Sequence, residues 1–202
     1  MTSRPDGPGV RTRDGVLPPG QRRASTWRVM HYGRVPSIDP ERWTLSVTGA
    51  TADGAEHELT LAELEALPRL RVVGDLHCVS RWTIHDRCWE GVSGRMIVDL
   101  FPPRDDVQHV RAWAAYGYSA SLRLEDLVAG RTVLATRAMG EPLTPERGWP
   151  LRLVVPHLYG YKGPKWLRSI EYLTQPARGF WEDKGYHLHG DPWNQERYAY
   201  QE

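Results

Sequence analysis

The residues of this sequence best suited to chemistry surround one cysteine. In "DLHCVSRW" (75–82), Cys78 ends an apolar run and has His77, Arg81, His85 and Arg87 close by in sequence. Neighbouring cations lower a thiol pKa and favour the thiolate, the form that attacks electrophiles or binds soft metals. The alternative is a buried, inert cysteine at a strand end, with Arg81 an ordinary surface charge. A cysteine hydrolase using His77 or His85 as base is a further option, but no orienting partner stands out in the sequence.

A second group lies in "RGWPLRLVVPHLYGYKGPKWLR" (147–168). These 22 residues hold Arg147, Arg152, Lys162, Lys165 and Arg168, together with His157, and no acid. Arg grips a phosphate through paired hydrogen bonds, Lys adds a mobile point charge, and glycines at 160 and 163 let backbone amides approach an oxyanion. A solvated basic face is the competing reading. His31 and Tyr32, in "WRVMHYGRVPSIDPERW" (27–43), have the polar-aromatic character that hydrogen-bonds a heterocycle, as does a strap packed on a core. The tail carries Tyr186, His187, His189, Asp191 and Trp193, which raises the thought of a metal without a third ligand at helical spacing.

Elements must position these groups. "WTLSVTG" (43–49) alternates as a half-buried strand, and "HELTLAELEAL" (57–67) predicts a strand leading into a short helix before Pro68. "LRVVGDLHC" (70–78) predicts a strand that delivers Cys78 at its end. Residues 91–100 predict a short helix, 107–122 one or two strands, and "LEDLVAG" (124–130) a helical turn closed by Gly130. Three more strands follow in "TVLATRAMG" (132–140), "PLRLVVP" (150–156) and "WLRSIEYL" (166–173), and the tail 179–202 reads as irregular. Many short strands with few helices and no regular alternation predict an α+β fold of mixed β-sheets with short helices.

Length and charge bound the rest. The 202 residues fit one domain. Residues 1–25, rich in Pro, Gly, Arg and Ser, predict a flexible arm or a strap, and 26–202 a single domain. Lys and Arg number 26 against 25 acids, so overall charge predicts no nucleic-acid partner and any anion site is local. Two cysteines fit neither a disulfide framework nor a zinc site. No apolar run approaches the roughly 18 residues needed to span a bilayer, and Arg22-Arg23 is not followed by a hydrophobic signal core. Cytoplasmic placement and no membrane insertion are the resulting expectations.

Taken in order, "VMHYGRVPSIDPERWTLSVTG" (29–49), "DLHCVSRW" with the following "WEGV" (89–92), "YGYSASLRLEDL" (116–127) and above all "MGEPLTPERGWPLRLVVPHLYGYKGPKWLRSIE" (139–171) resemble the oxidoreductase molybdopterin-binding family, the catalytic domain of sulfite oxidase-like enzymes. Its members include sulfite oxidase, assimilatory nitrate reductase and the periplasmic methionine-sulfoxide reductase. The resemblance spans about 27–198. It implies a molybdenum-molybdopterin cofactor whose metal is bound by Cys78, and oxygen-atom transfer to or from a small substrate, a sulfite-like oxyanion or a sulfoxide. It also implies that Arg152, Lys162 and Lys165 contact the phosphate and pyran end, that His31 and Tyr32 lie where an N-terminal segment covers the pterin, and that His157, Tyr161 and Gly163 line the cofactor groove. Arg81 is the substrate-side candidate, with His85, Tyr186, His187 and Arg197 as other pocket residues. The implied partners are a small-molecule substrate and an unidentified electron-transfer partner. A catalytically silent module of the same fold that binds the cofactor or a phosphate ligand is the alternative.

Overall fold

The computed structural model describes residues 16–202. Arg22–Arg23 form a two-residue strand, β1, and after one turn of 3-10 helix at Pro40–Arg42 the first long strand, β2 (Thr44–Gly49), begins. In β2, Leu45 and Val47 are fully buried while Thr44 and Ser46 face outward, which is the alternation the sequence shows. The strand β3 (His57–Thr60) pairs antiparallel with it and runs directly into helix α1 (Leu61–Ala66). Thr60 and Glu63 start that helix reciprocally: Glu63 N donates to Thr60 Oγ1 at 3.2 Å, and Thr60 N donates to the Glu63 carboxylate at 2.8 Å. Leu67, the residue before Pro68, is extended and ends it.

Strands β4 (Leu70–Cys78) and β5 (Trp82–Ser93) make a long antiparallel hairpin whose last matched pair is Cys78 with Trp82. Arg81 N donates to Cys78 O at 3.0 Å and Arg81 takes φ +69°, so a three-residue turn with a left-handed last position puts Cys78 at the tip. The sequence did not reveal β5, because the polar run His85-Asp86-Arg87 interrupts its apolar pattern. A bulge opposite Asp75 absorbs that run: Asp75 accepts from His85 Nδ1 at 2.9 Å and from Asp86 N at 3.0 Å. The helix expected over 91–100 is shorter than predicted. Gly91 and Val92 belong to β5, and α2 (Gly94–Leu100) begins only after Ser93, whose hydroxyl accepts from Met96 N at 3.1 Å. Gly91 is held in the sheet by contact, since a Cβ there would lie 1.9 Å from Leu134 O.

Beyond α2 come β6 (His109–Ala114), β7 (Ser119–Arg123), the single turn α3 (Leu124–Leu127), β8 (Val133–Ala138), the short β9 (Glu141–Pro142), β10 (Arg152–Val154) and β11 (Leu167–Leu173). They form two mixed sheets. One has the order β1-β5-β8-β10, with β4 also on β5 and β9 on β8; the other is β3-β2-β11-β6-β7. Leu45 and Val47 of the second sheet share one core with Val92, Leu134 and Leu153 of the first. Val133 and Ala135 flank Leu134 but point to the opposite face, where they pack with Val72, Trp89 and Val154 in a smaller cluster. The fold is α+β, as its strand-rich pattern predicts.

The N-terminal arm, expected over 1–25 as a flexible arm or a strap, lies as a strap where it is described. Its strand β1 lies parallel to Trp82 and Thr83 of β5, Ala24 N donates to Thr83 O at 2.7 Å, and Gln21 Nε2 donates to Cys78 O at 3.0 Å. Pairing with the exposed edge of the hairpin supplies the backbone partners that composition alone does not reveal. Residues 1–15 lie outside the described residues.

Candidate functional site

The hairpin tip opens onto a cavity of about 770 Å³. Cys78 and Trp82 form one wall, and the loop after β10 contributes Gly160, Tyr161, Gly163, Lys165 and Trp166. Residues 27–34 cross over it, and Phe180, Trp181 and Tyr186 of the tail close the remaining side. Cys78 is half-buried and its Sγ lies 3.0 Å from Ser80 Oγ.

Two cations, Arg152 and Lys165, line another part of the same cavity, with Arg147 next to Arg152 but outside the lining. Arg152, 4% exposed, donates through Nη1 to Arg147 O at 3.1 Å, while its Nε is buried without a partner. Arg147 lies 3.7 Å over the Trp27 ring and donates through Nη2 to Trp27 O at 2.8 Å, and its Nη1 is likewise buried and unpaired. Lys165 Nζ reaches only Glu146 O, at 2.7 Å. Gly148, at φ +109°, lets the backbone pass between the last two: a Cβ there would lie 3.0 Å from the Lys165 Cβ and 3.1 Å from the Arg152 Cβ. None of Arg147, Arg152 and Lys165 forms an ion pair with a carboxylate among the described residues. The electrostatic result is a strained set of charges: burial first, then Arg152 and Arg147, pushes the Lys165 ammonium down to about 7, and burial with Arg147 pushes Arg152 down to about 10.

Seven of the sequence-derived site residues meet here: Cys78, His31, Tyr32, Arg152, Tyr161, Gly163 and Lys165 all line the cavity. His31 packs edge-on to Trp166 at 5.6 Å, and Tyr32 lies 4.9 Å from Phe180. The Tyr161 hydroxyl is committed to His187 O at 2.6 Å, and Gly163 is required by packing, since a Cβ would stand 2.5 Å from Leu153 O.

Three expected residues lie elsewhere. Arg81 is exposed on the turn, with Nη1 beside Gly20 of the strap and outside the cavity lining, because the left-handed backbone at 81 turns its side chain outward. Lys162 is fully buried but faces away, donating to Glu182 Oε1 at 2.6 Å and to Leu188 O at 2.5 Å, so its charge is already neutralised by protein. His157 Nε2 donates to the Asp126 carboxylate at 2.9 Å and stands outside the cavity lining. The other pocket candidates divide in the same way. Tyr186 lines the cavity, whereas His85, His187 and Arg197 do not.

The hydrolase option loses its base. His77 and Cys78 are successive strand residues and point to opposite faces. The His77 ring is bonded to Thr83 Oγ1 at 2.8 Å and burial pushes it down to about 4, while His85 is held by Asp75. In the tail, His187 Nδ1 accepts from the amides of His189 and Gly190, and His189 meets Glu196 at 2.8 Å; among the described residues no group of three side chains is arranged for a metal ion. Sequence reasoning missed Trp27 as the partner of Arg147, a contact across 120 residues that no local pattern carries.

A soft sulfur, aromatic walls and an uncompensated cationic end fit a phosphate-bearing metallocofactor, and the sequence family agrees. The family model described as oxidoreductase molybdopterin binding domain matches residues 32–181. The chain belongs to this family. An uncharacterised oxidoreductase, YuiH of Bacillus subtilis, is 38% identical over 93% of this chain and 94% of its own length. A putative protein-methionine-sulfoxide reductase subunit of Azospira oryzae is 30% identical, covering 79% of this chain and 61% of that protein. Drosophila melanogaster mitochondrial sulfite oxidase is 26% identical over 78% of the chain but only 32% of the oxidase. Apart from YuiH, the relatives named here extend well beyond the matched part. The fold is that of the sulfane dehydrogenase SoxCD from Paracoccus pantotrophus, with TM-score 0.67 at 20% identity over 73% of this chain and 42% of that one.

Proposed function

We propose that this chain is a molybdenum-molybdopterin oxidoreductase that moves an oxygen atom to or from a small sulfur-centred substrate, with Cys78 as the protein ligand of the metal. The observation that carries the reading is the shared cavity: the Cys78 sulfur opens onto it together with buried cations that have no carboxylate partner. Unpaired buried donors each cost about 1–3 kcal/mol, which a bound phosphate removes. Arg152 and Lys165, backed by Arg147, would hold the phosphate; Trp166, His31 and Tyr32 would cover the ring system; Cys78 would supply a thiolate. When bound, the cofactor supplies the two-electron chemistry.

The chain's own residues then govern what approaches. With Arg81 turned out, the lining next to Cys78 is Ser80, its cross-strand partner Trp82, and Tyr186. Burial, Tyr198 and the Cys78 sulfur all push the Tyr186 phenol up, so it stays a hydrogen-bond donor at neutral pH. The lining as a whole carries further phenols together with Arg28 and Arg34, so it suits a sulfoxide or a sulfite-like oxyanion. An electron-transfer partner is required by the redox cycle. Cytoplasmic placement belongs to the same proposal and rests on two free cysteines, Cys78 and Cys88.

Metal analysis tests the core of the reading in protein made by a host that synthesises molybdopterin. We expect close to one molybdenum per chain, and loss of turnover in Cys78→Ser at a stability change of only about 1–3 kcal/mol. Parental turnover in the serine variant would refute it. The outward position of Arg81 favours a second reading, a catalytically silent cofactor-binding module. Bound molybdenum that stays unchanged on addition of dithionite would select that alternative.

A further inference from the structure

Within the hairpin the Cys78 sulfur meets Ser80 Oγ at 3.0 Å, but Ser80 belongs to the same turn, so that contact moves with the tip unless the tip is braced from outside. The structure supplies two braces, from opposite ends of the chain. Gln21 Nε2 donates to Cys78 O at 3.0 Å, and Arg197 Nη1 donates to Val79 O at 2.7 Å. The same guanidinium donates through Nη2 to Pro19 O at 3.3 Å, so one planar fork ties the strap to the turn. It also lies 5.0 Å from the ring of Tyr159, which is fully buried and bridged to His77.

Arg197 is 3% exposed and forms no ion pair among the described residues. A buried guanidinium satisfied only by carbonyls and a ring face is costly to keep, and a neutral donor would hold one carbonyl as well. Its fork is what the position uses: it grips carbonyls of two segments that are 118 and 178 residues away in sequence. Arg197 does not line the cavity, so it acts through the turn.

We propose that Arg197, together with Gln21, is a positioning residue that locks the Cys78 turn so that its sulfur holds a single direction toward the metal. The inference rests on the molybdenum reading above. Arg197→Lys keeps the charge but loses the fork, and Gln21→Leu removes the second brace.

The test uses both variants, metal-free and loaded. In the metal-free proteins, amide hydrogen exchange over 76–81 is expected to accelerate by at least about tenfold, with β6 and β11 unchanged. In the loaded proteins, the sulfur-to-molybdenum charge-transfer absorption is expected to shift or to lose about a quarter or more of its intensity, because orientation of the ligand sets that signal. Unchanged exchange overturns the brace. Faster exchange with an unchanged absorption band reduces Arg197 to a fold-stabilising residue and overturns the positioning role. If Arg197→Lys does not fold, Gln21→Leu, which alters a half-buried strap residue, gives the same readings. A parent protein that takes up no molybdenum overturns the metal reading instead, whatever the turn does.

Discussion

If Lys165 holds a phosphate as proposed, binding at the cationic end of the cavity is coupled to a proton. In the ligand-free protein its ammonium is pushed down to about 7 by burial and by Arg152 and Arg147. At pH 8 it is therefore about one-tenth protonated, and a bound phosphate dianion, by reversing that repulsion, makes it fully charged. Binding then takes up about 0.9 proton per site at pH 8, and affinity falls roughly tenfold for each pH unit above that. Arg152, pushed down only to about 10, stays charged and contributes no uptake there. Titration calorimetry of metal-free protein with a simple phosphomonoester, whose second pKa of about 6 keeps it dianionic, reads the number directly in two buffers of different ionisation enthalpy. Lys165→Met should bring the uptake near zero. Uptake below about 0.3 proton, or the same uptake in the methionine variant, would refute the reasoning. Stability carries the same sign. The folded value lies below the ordinary 10.5, so the unfolded chain binds more protons between pH 7 and 10.5 and stability rises across that window. With Lys165 partly buried and still open to some solvent screening, the gain from pH 7 to 9 is about 1–2 kcal/mol in urea unfolding, and Lys165→Met flattens it.

Lys162→Met strands the buried Glu182 carboxylate and is expected to cost about 3–5 kcal/mol in chemical unfolding, whereas adding Glu182→Gln should recover at least about half of that loss. This pair separates a structural lysine from a phosphate ligand, because the double variant should keep phosphomonoester affinity near the parental value. Gly163→Ala drives a Cβ to 2.5 Å from Leu153 O; the expected loss is about 1–3 kcal/mol by thermal unfolding, with reduced molybdenum loading, since the loop that presents Lys165 must shift.

The sequence made most of the elements legible because their polarity alternates cleanly. Strand β2, with Leu45 and Val47 inward, and the Thr60–Glu63 start of α1 are local signals that packing does not override. Strand β5 was hidden for a physical reason: His85 and Asp86 look like loop residues until Asp75, on the neighbouring strand, satisfies both. The strand within the strap was hidden likewise. Arg22–Arg23 has no apolar face, and its order comes from an edge of β5 sixty residues away.

The same limit explains which site residues were legible. An acid-free run of cations announces local charge, but residue type cannot say which cation the protein itself neutralises. Lys162 and Lys165 stand three residues apart, on either side of Gly163, and their fates diverge only because Glu182 comes from the tail to meet one of them. His157 is taken by Asp126 in the same way. Of the run's five cations, Arg147, Arg152, Lys165 and Arg168 have no carboxylate partner among the described residues, and of these Arg152 and Lys165 line the cavity, so the lack of a partner together with position, rather than the number of positive charges, is what the proposed anion-binding end rests on. Burial separates Arg81 from Arg197, neither of which forms an ion pair among the described residues. The first is exposed and its charge is free to solvent. The second is buried, and its charge without a counter-ion is held by one hydrogen bond to the turn at Val79 O, one to the strap at Pro19 O, and the ring face of Tyr159.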